Sequence, residues 1–415
     1  MSERVSRRHF VKSGSALTAA ALAGAPRVHA GGQDTITVGV IGCGGRGTGA
    51  MENVLDSAPN VRIISMGDMF PDRLRGARKQ LADSKREGFK VTDDTAFTGF
   101  DAYKKVLDSG CQMVILATPP GFRPMHFKAA IEAGKHVFFE KPVAVDPAGV
   151  RTVLEYGKIA KEKKLAVVTG TQRRHEGSYV ETMKRIKDGA IGEVVAGRCY
   201  WNSAGVWVRP RGENQSDMEY QLRNWYYFPW LCGDHIVEQH VHNLDVMQWA
   251  MGANPVKATA VGGRQVRVEP QFGVIYDHFG VDYEYPNGVH VMSMCRHWNN
   301  TPSNVSEAVQ GTKGRSNCAT VIDGQNAWRY QGKHKNPYVQ EHTDLIESIR
   351  KGEPLNEAEQ IAHSTLVAIM GREAAYTGKV VTWDQILNSP MNLMPEKLEF
   401  GPLPEPKVPM PGKNA

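Results

Sequence analysis

The sequence predicts an α/β protein in two parts: a doubly wound parallel sheet at the N-terminal end, then an α+β domain with a large, mostly antiparallel sheet. Three features carry that expectation. β-Branched runs alternate with helix-length stretches from residue 35 to about residue 169, a glycine cluster closes the first of those runs, and beyond about residue 190 the apolar residues switch to a period of two. At 415 residues the chain exceeds what one hydrophobic core usually holds, and 41% hydrophobic with 23% charged side chains is ordinary globular composition.

The first thirty residues stand apart. Ser6-Arg7-Arg8-His9-Phe10-Val11-Lys12 precede an Ala-rich, weakly apolar stretch from Ser15 to Ala25, and Val28-His29-Ala30 supplies a small-residue cleavage pattern. This order resembles a twin-arginine export signal. It implies the twin-arginine translocation machinery as a partner, delivery to the periplasm or another exported location, and cofactor uptake before export in the folded state. Beyond residue 30 the chain has 45 basic against 43 acidic side chains, so no nucleic-acid partner is implied. Nothing later approaches the ~18 apolar residues that span a bilayer, so no stable membrane anchor is expected. The cysteines at 43, 111, 199, 232, 295 and 318 form no CxxC pair and read as buried small side chains rather than a zinc site or a disulfide framework.

Thr35–Ile41 is the first strand-like run. Others follow at Val61–Met66, Met113–Ala117, His136–Phe139 and Leu165–Thr169, with helical stretches such as Phe127–Ala133 and Val150–Lys163 between them. Further on, Phe279, Val281, Tyr283 and Tyr285 alternate with polar neighbours, Pro286-Asn287-Gly288 makes a turn, and Val289, Val291 and Ser293 return as the second strand of a hairpin. Two helices are expected at Tyr338–Lys351 and Asn356–Thr377, the second stopped by Gly378. Residues 401–415 hold five prolines and no periodicity, which predicts an extended arm or a disordered tail. The resulting division is a leader at 1–30, a dinucleotide-binding domain at 31–165, a substrate-binding and oligomerisation domain at 166–390, and a Pro-rich tail at 391–415.

Gly42-Cys43-Gly44-Gly45-Arg46-Gly47 fits GxGxxG directly after a strand and before a helix, the fingerprint of a Rossmann domain. Glycines suit this place because a Cβ would block both the turn and the approach of a pyrophosphate to the helix N-terminus, where free N–H groups and the helix dipole favour an anion. Asp68 ends the second strand 21 residues after Gly47, where an acid accepts hydrogen bonds from the adenosine ribose. A carboxylate there favours NAD over NADP, while the nearby Arg73 leaves NADP open.

The strand-like run His136–Phe139 leads into Glu140-Lys141-Pro142, which points a lysine into the crevice at the carboxyl edge of the sheet. Together with Ala117-Thr118-Pro119-Pro120 and Ala133-Gly134-Lys135-His136-Val137, this resembles the Gfo/Idh/MocA oxidoreductases over roughly residues 35–385. The resemblance implies that Lys141 contacts both a substrate hydroxyl and the nicotinamide ribose, and that Thr118, Pro119, Glu140 and Gln172 face the cofactor. It also implies a substrate or cofactor contact from the basic turn holding Arg173 and Arg174.

In the second part, the run Gly233 to Asp245 sets Glu238, His240 and His242 where the family usually has Asp-x-Gly-x-His, so two of the three positions depart from the pattern. Histidine has an unperturbed pKa of ~6.5 and suits proton transfer near neutral pH, so His242 is the expected general base, with Glu238 orienting it or the substrate. His240 stands where a glycine is usual and is expected to reshape the pocket. Trp201, Trp207, Trp225, Tyr226, Tyr227 and Trp230, interleaved with Arg209, Arg211 and Arg223, give an aromatic-rich stretch from which one or two rings, Trp225 first, are expected against the C–H face of a sugar. A metal reading competes, because His235, Glu238, His242 and Asp245 fall at i, i+3, i+7 and i+10 of one helical face, a spacing that suits Zn²⁺ or Mn²⁺. Hydride transfer to nicotinamide needs no metal, so none is assigned.

These residues imply an NAD(P)-dependent oxidoreductase acting on a sugar, glycoside or polyol hydroxyl, with a tightly held cofactor and self-association through the second-domain sheet. Outside the cytoplasm a carried cofactor would have to be regenerated in place, which keeps a redox-neutral alternative open: glycoside cleavage through transient oxidation, as in the NAD-dependent glycosidases of glycoside hydrolase family 109. A non-catalytic dinucleotide- or sugar-binding protein is the third reading, and the pairing of Lys141 with His242 argues against it.

Overall fold

The computed structural model describes residues 34–413. The export-signal expectation falls on residues outside that range.

Strand β1 (Ile36–Ile41) leads through the glycine loop into helix α1 (Gly45–Ser57) and returns as β2 (Val61–Asp68). Helix α2 (Pro71–Asp83), β3 (Ala96–Thr98), α3 (Ala102–Leu107), β4 (Met113–Leu116), α4 (Arg123–Glu132), β5 (His136–Phe139), α5 (Pro147–Glu162) and β6 (Val167–Thr169) complete a six-stranded sheet in the order β3-β2-β1-β4-β5-β6. Every pairing in it is parallel. Such a sheet is covered on both faces, which is why β4 reads Met-Val-Ile-Leu without a polar break and is buried throughout. The strand order reverses between β1 and β4, and the crevice at that switch point is where ligands of doubly wound sheets bind.

Helix α6 (Gly177–Lys187) leads into β7 (Val194–Ser203), which opens the second sheet. Helices α7 (Asp217–Arg223), α8 (Pro229–Cys232), α9 (His235–Glu238) and α10 (Val241–Met251) follow before β8 (Lys257–Gly263), β9 (His278–Glu284), β10 (His290–His297), β11 (Asn304–Gly311), β12 (Gly314–Ser316), β13 (Val321–Gly324) and β14 (Trp328–Arg329). With β15 (Val381–Thr382) they form a nine-stranded sheet in the order β14-β13-β12-β11-β7-β10-β9-β8-β15. Only β7 and β10 pair in parallel, which brings their carboxyl ends, with Trp201 and His297, to the same edge. The expected hairpin is β9–β10: Phe279, Val281 and Tyr283 are buried on the inner face, and Asn287 and Gly288 take positive φ at the turn.

Two later helices come back to the first sheet. Leu345, Ile346 and Ile349 of α11 (Pro337–Lys351) join the core formed by Val38, Val40 and Met51, and α12 (Ala358–Thr377), stopped by Gly378 at φ 71°, packs against α5 and the inner face of the second sheet. After α13 (Trp383–Leu387) the described residues have no regular structure, and of the extended arm and the disordered tail that the sequence left open they form the arm. Leu393 donates to Asp146, Leu403 to Asp217, and the Pro409 carbonyl accepts from the Tyr276 hydroxyl, so the arm lies along the surface of both sheets' helical layers. The single helical face expected for 235–245 is also corrected. The helix is interrupted at Gln239 and His240 between α9 and α10, and Glu238 and His242 line the cavity described below while His235 bonds Asp234 and Asp245 pairs with Arg174.

Candidate active site

The glycine loop adopts the geometry its sequence demands. Gly42 has φ +99°, and a Cβ there would lie 2.6 Å from the Ala117 and Thr118 backbone. At Gly47 a Cβ would sit 1.9 Å from the Gly42 carbonyl oxygen, so only glycine lets α1 pack this close to β1. Above Gly44 and Gly45 no atom lies within 4 Å of the space a Cβ would fill, leaving the N-terminus of α1 open to a ligand. Asp68 accepts from the backbone N–H of Cys43 at 2.7 Å and of Phe70 at 2.8 Å, which fixes the loop against the end of β2. Burial raises the Asp68 pKa above the ordinary carboxylate value, against the lowering effect of those two N–H groups and Arg73.

A cavity of about 590 Å³ begins at this loop and runs to the second domain. Its walls include Gly42, Gly44, Gly45, Arg46, Asp68, Thr118, Pro119, Glu140, Lys141 and Gln172 on one side and Trp225, Glu238 and His242 on the other. An open helix N-terminus, a carboxylate at the end of β2 and this volume fit a dinucleotide. Arg46 contributes its backbone at the helix start; its guanidinium folds back 2.5 Å onto Glu140 and over the Tyr338 ring.

Lys141 is the meeting point of the two domains. Its Nζ donates to the Glu238 backbone carbonyl and lies 3.2 Å from Glu238 Oε1, with both side chains about nine-tenths buried. Glu238 is therefore engaged with Lys141, where the sequence suggested it would orient His242 or the substrate. The His242 ring stacks on Trp201 with centroids 5.8 Å apart, and burial, then the Lys141 and Arg173 charges, hold its pKa well below 6.5. A neutral imidazole in the cavity wall is a proton acceptor at physiological pH.

Behind Lys141, the Arg123 guanidinium donates to the Pro142 carbonyl at 2.5 Å; burial lowers its pKa to about 10, with the Glu140 and Glu238 carboxylates acting the other way. Arg123 and His126 also line the cavity, His126 bonded to Thr118 Oγ1 at 3.2 Å and depressed by burial to about 3. Neither stood out in the sequence, because arginine and histidine in a first helical turn carry no motif of their own.

Three expected substrate contacts are corrected. His240 is fully buried, its Nε2 2.7 Å from the Ser293 hydroxyl, with a pKa pushed down to about 3 by burial, so it fills the sheet–helix core rather than the pocket. Arg173 pairs with Glu307 at 2.5 Å, and Arg174 makes a two-pronged pair with Asp245 at 2.8 and 2.9 Å; neither lines the cavity. Each is an inward-facing cation whose partner supplies its solvation. Of the aromatic stretch, Trp207 and Trp225 reach the cavity, while Tyr226, Tyr227 and Trp230 pack in an apolar cluster with Phe228 and Leu231. The four residues of the metal reading are divided: His235 bonds Asp234, Glu238 holds Lys141, His242 stacks on Trp201 and Asp245 pairs with Arg174. Among the described residues no His, Cys, Asp or Glu group is arranged to hold a metal, and all six cysteines are buried and free.

Comparison with known proteins places these features in a family context. A model described as "Oxidoreductase family, NAD-binding Rossmann fold" matches residues 36–171, and a "GFO/IDH/MocA C-terminal domain" model matches residues 179–316. The inositol 2-dehydrogenase of Gluconacetobacter diazotrophicus is 24% identical over 339 residues, covering 77% of this chain and 88% of that protein. Inositol 2-dehydrogenase 1 of Saccharopolyspora erythraea is 27% identical over 170 residues, 41% of this chain, and the match spans about half (47%) of that relative. Among solved structures, apo scyllo-inositol dehydrogenase from Lactobacillus casei superposes with a TM-score of 0.65 at 19% identity, covering 84% of this chain and 98% of that one.

Proposed function

The chain belongs to the Gfo/Idh/MocA family of NAD-binding oxidoreductases, and from that premise we propose that it moves a hydride between NAD and a hydroxyl-bearing carbon of a sugar or polyol. The observation that carries the reading is Lys141 at the carboxyl end of β5, paired with Glu238 of the second domain and beside His242, in one cavity with the glycine loop. Similarity to inositol 2-dehydrogenases supports a cyclic polyol or pyranose as substrate class.

NAD bound at the loop supplies the hydride acceptor. Lys141 has three N–H donors, two of them directed at Glu238, so the third is available to the reacting oxygen and stabilises negative charge as its proton leaves. His242, neutral at physiological pH, takes that proton. Glu238 fixes the ammonium in the cleft, and Trp207 and Trp225 offer flat apolar faces to the C–H side of a ring. Asp68 favours NAD, the twin-arginine-like pattern of the first thirty residues supports export with a carried cofactor, and the exposed Val261, Met292 and Met294 on the outward face of the second sheet support a homo-oligomer.

The test is to load the purified full-length protein with NAD and follow nicotinamide absorbance against cyclitols, aldoses and glycosides. Reduction with at least one polyol or sugar is expected. NAD bound with no spectral change across the panel would replace the enzyme reading with a binding protein, and aglycone release without net reduction would replace it with a glycosidase.

A further inference from the structure

We propose that the adenosine half of the dinucleotide is held by a wall from outside the first domain: the C-terminal arm around Leu398–Leu403 together with Leu222 and Arg223. The inference rests on the NAD reading above and adds the site that retains the cofactor.

The cavity does not stop at Asp68. Past that carboxylate its walls are Met69, Phe70, Arg73 and Phe100 from the first domain, closed by Leu222, Arg223 and Leu398 from the second part of the chain. Phe400 lies outside Leu398, its ring centroid 5.4 Å from Phe100 and 6.3 Å from Phe70. Arg223 sits 3.9 Å above the Phe70 ring and holds Glu219 at 2.9 Å and Asp72 at 3.3 Å, so the roof is tied to the start of α2. An apolar and aromatic compartment directly beyond a ribose-binding carboxylate fits a flat purine.

The arm that completes it is pinned on both sides of Phe400. Leu393 donates to Asp146 at 2.8 Å; then the Gly401 carbonyl accepts from the Met218 N–H at 3.2 Å, Leu403 donates to Asp217 at 3.1 Å, and its carbonyl accepts from Gln221 at 2.7 Å. Chain ends fray unless something ties them down, because ordering each residue costs entropy. Here Phe400 remains 53% exposed, so core burial alone does not account for its placement. What the segment covers is the crevice through which a dinucleotide would leave. Release of the cofactor then requires the arm to lift, and retention is set by that local opening.

The experiment uses the full-length chain and the variant L398A/F400A, each loaded with NADH and chased with excess NAD while nicotinamide fluorescence is followed. The variant is expected to release NADH about tenfold faster or more, with most of the change in the dissociation rate, and to lose nucleotide on gel filtration, while L398M/F400Y releases at the wild-type rate. Thermal midpoints of the nucleotide-free proteins within a few degrees of each other show that the fold is intact. Equal release rates for wild type and L398A/F400A would overturn the wall; a wild-type chain that takes up no NADH would overturn the nicotinamide reading beneath it.

Discussion

Lys141 Nζ and Glu238 Oε1 face each other at 3.2 Å across the junction of the two domains, each side chain 10% exposed. A buried pair contributes little compared with an apolar replacement, but removing one partner strands the other charge at about 3–5 kcal/mol. Glu238→Ala is therefore expected to lower the thermal midpoint, and Lys141→Met/Glu238→Leu to recover part of it. Turnover separates the two roles: Lys141→Met should cost kcat about 10²–10³-fold, from loss of charge stabilisation at the reacting oxygen, while Glu238→Gln, which keeps an acceptor for Nζ, should cost about tenfold. Equal kcat for wild type and Lys141→Met would remove the lysine from the chemistry.

Acid should unfold this protein through its histidines. Burial lowers His126 and His240 to about 3 and His136 to about 4, and holds His242, His297 and His342 well below 6.5. In the folded chain these rings stay neutral, whereas in the unfolded chain they bind protons below ~6.5. Their contribution to stability is present above pH 6.5 and lost as pH falls from there toward the folded values, each ring costing about 1.4 kcal/mol per pH unit. His175 has the opposite sign. Asp344 and Glu357, acting against burial, raise it to about 10, so its contribution is full below ~6.5 and lost as pH rises through 10. Calorimetry between pH 7 and pH 4.5 should show a falling midpoint with net proton uptake on unfolding; a midpoint level across that window would contradict the burial of these rings as neutral groups.

Gly42, Gly47, Asp68 and Lys141 were legible in the sequence because each belongs to a short motif that begins at a strand end and its chemistry follows from that motif. Arg173, Arg174 and His240 misled for the complementary reason. Their partners Glu307, Asp245 and Ser293 lie 134, 71 and 53 residues away, and only the fold reveals that these cations are already paired and that the imidazole engages Ser293 through Nε2. The same separation hid Tyr338 and Leu398, which reach the cavity only because the chain returns twice to the first domain after its second sheet. The alternation of strands and helices was carried by residue periodicity; the packing of the arm depends on Asp217, Gln221 and Tyr276 meeting carbonyls and N–H groups that no periodicity announces.

His240 offers a direct check on that distinction. Replacing it with alanine removes a buried ring and its bond to Ser293, so a loss of about 2–4 kcal/mol of stability is expected. Because the ring faces the sheet, KM for the best polyol or sugar should change less than twofold in the folded variant. A specificity change with little loss of stability would put His240 back in the pocket.

Asp68 is expected to set cofactor choice as well as to hold the glycine loop, and the two roles can be separated. Both oxygens accept backbone N–H groups, from Cys43 at 2.7 Å and Phe70 at 2.8 Å, so Asp68→Ala strands two donors and should lower the thermal midpoint of the nucleotide-free protein. Asp68→Asn keeps one acceptor and no negative charge, and should lose less stability. Discrimination follows charge instead: a 2′-phosphate brought against a carboxylate is repelled, and either substitution removes that repulsion. The ratio of kcat/KM for NAD to that for NADP is therefore expected to fall about tenfold or more in both variants, with Arg73 then free to meet the phosphate. A ratio unchanged in Asp68→Asn, in a protein that still binds NAD, would show that selectivity arises elsewhere in the crevice.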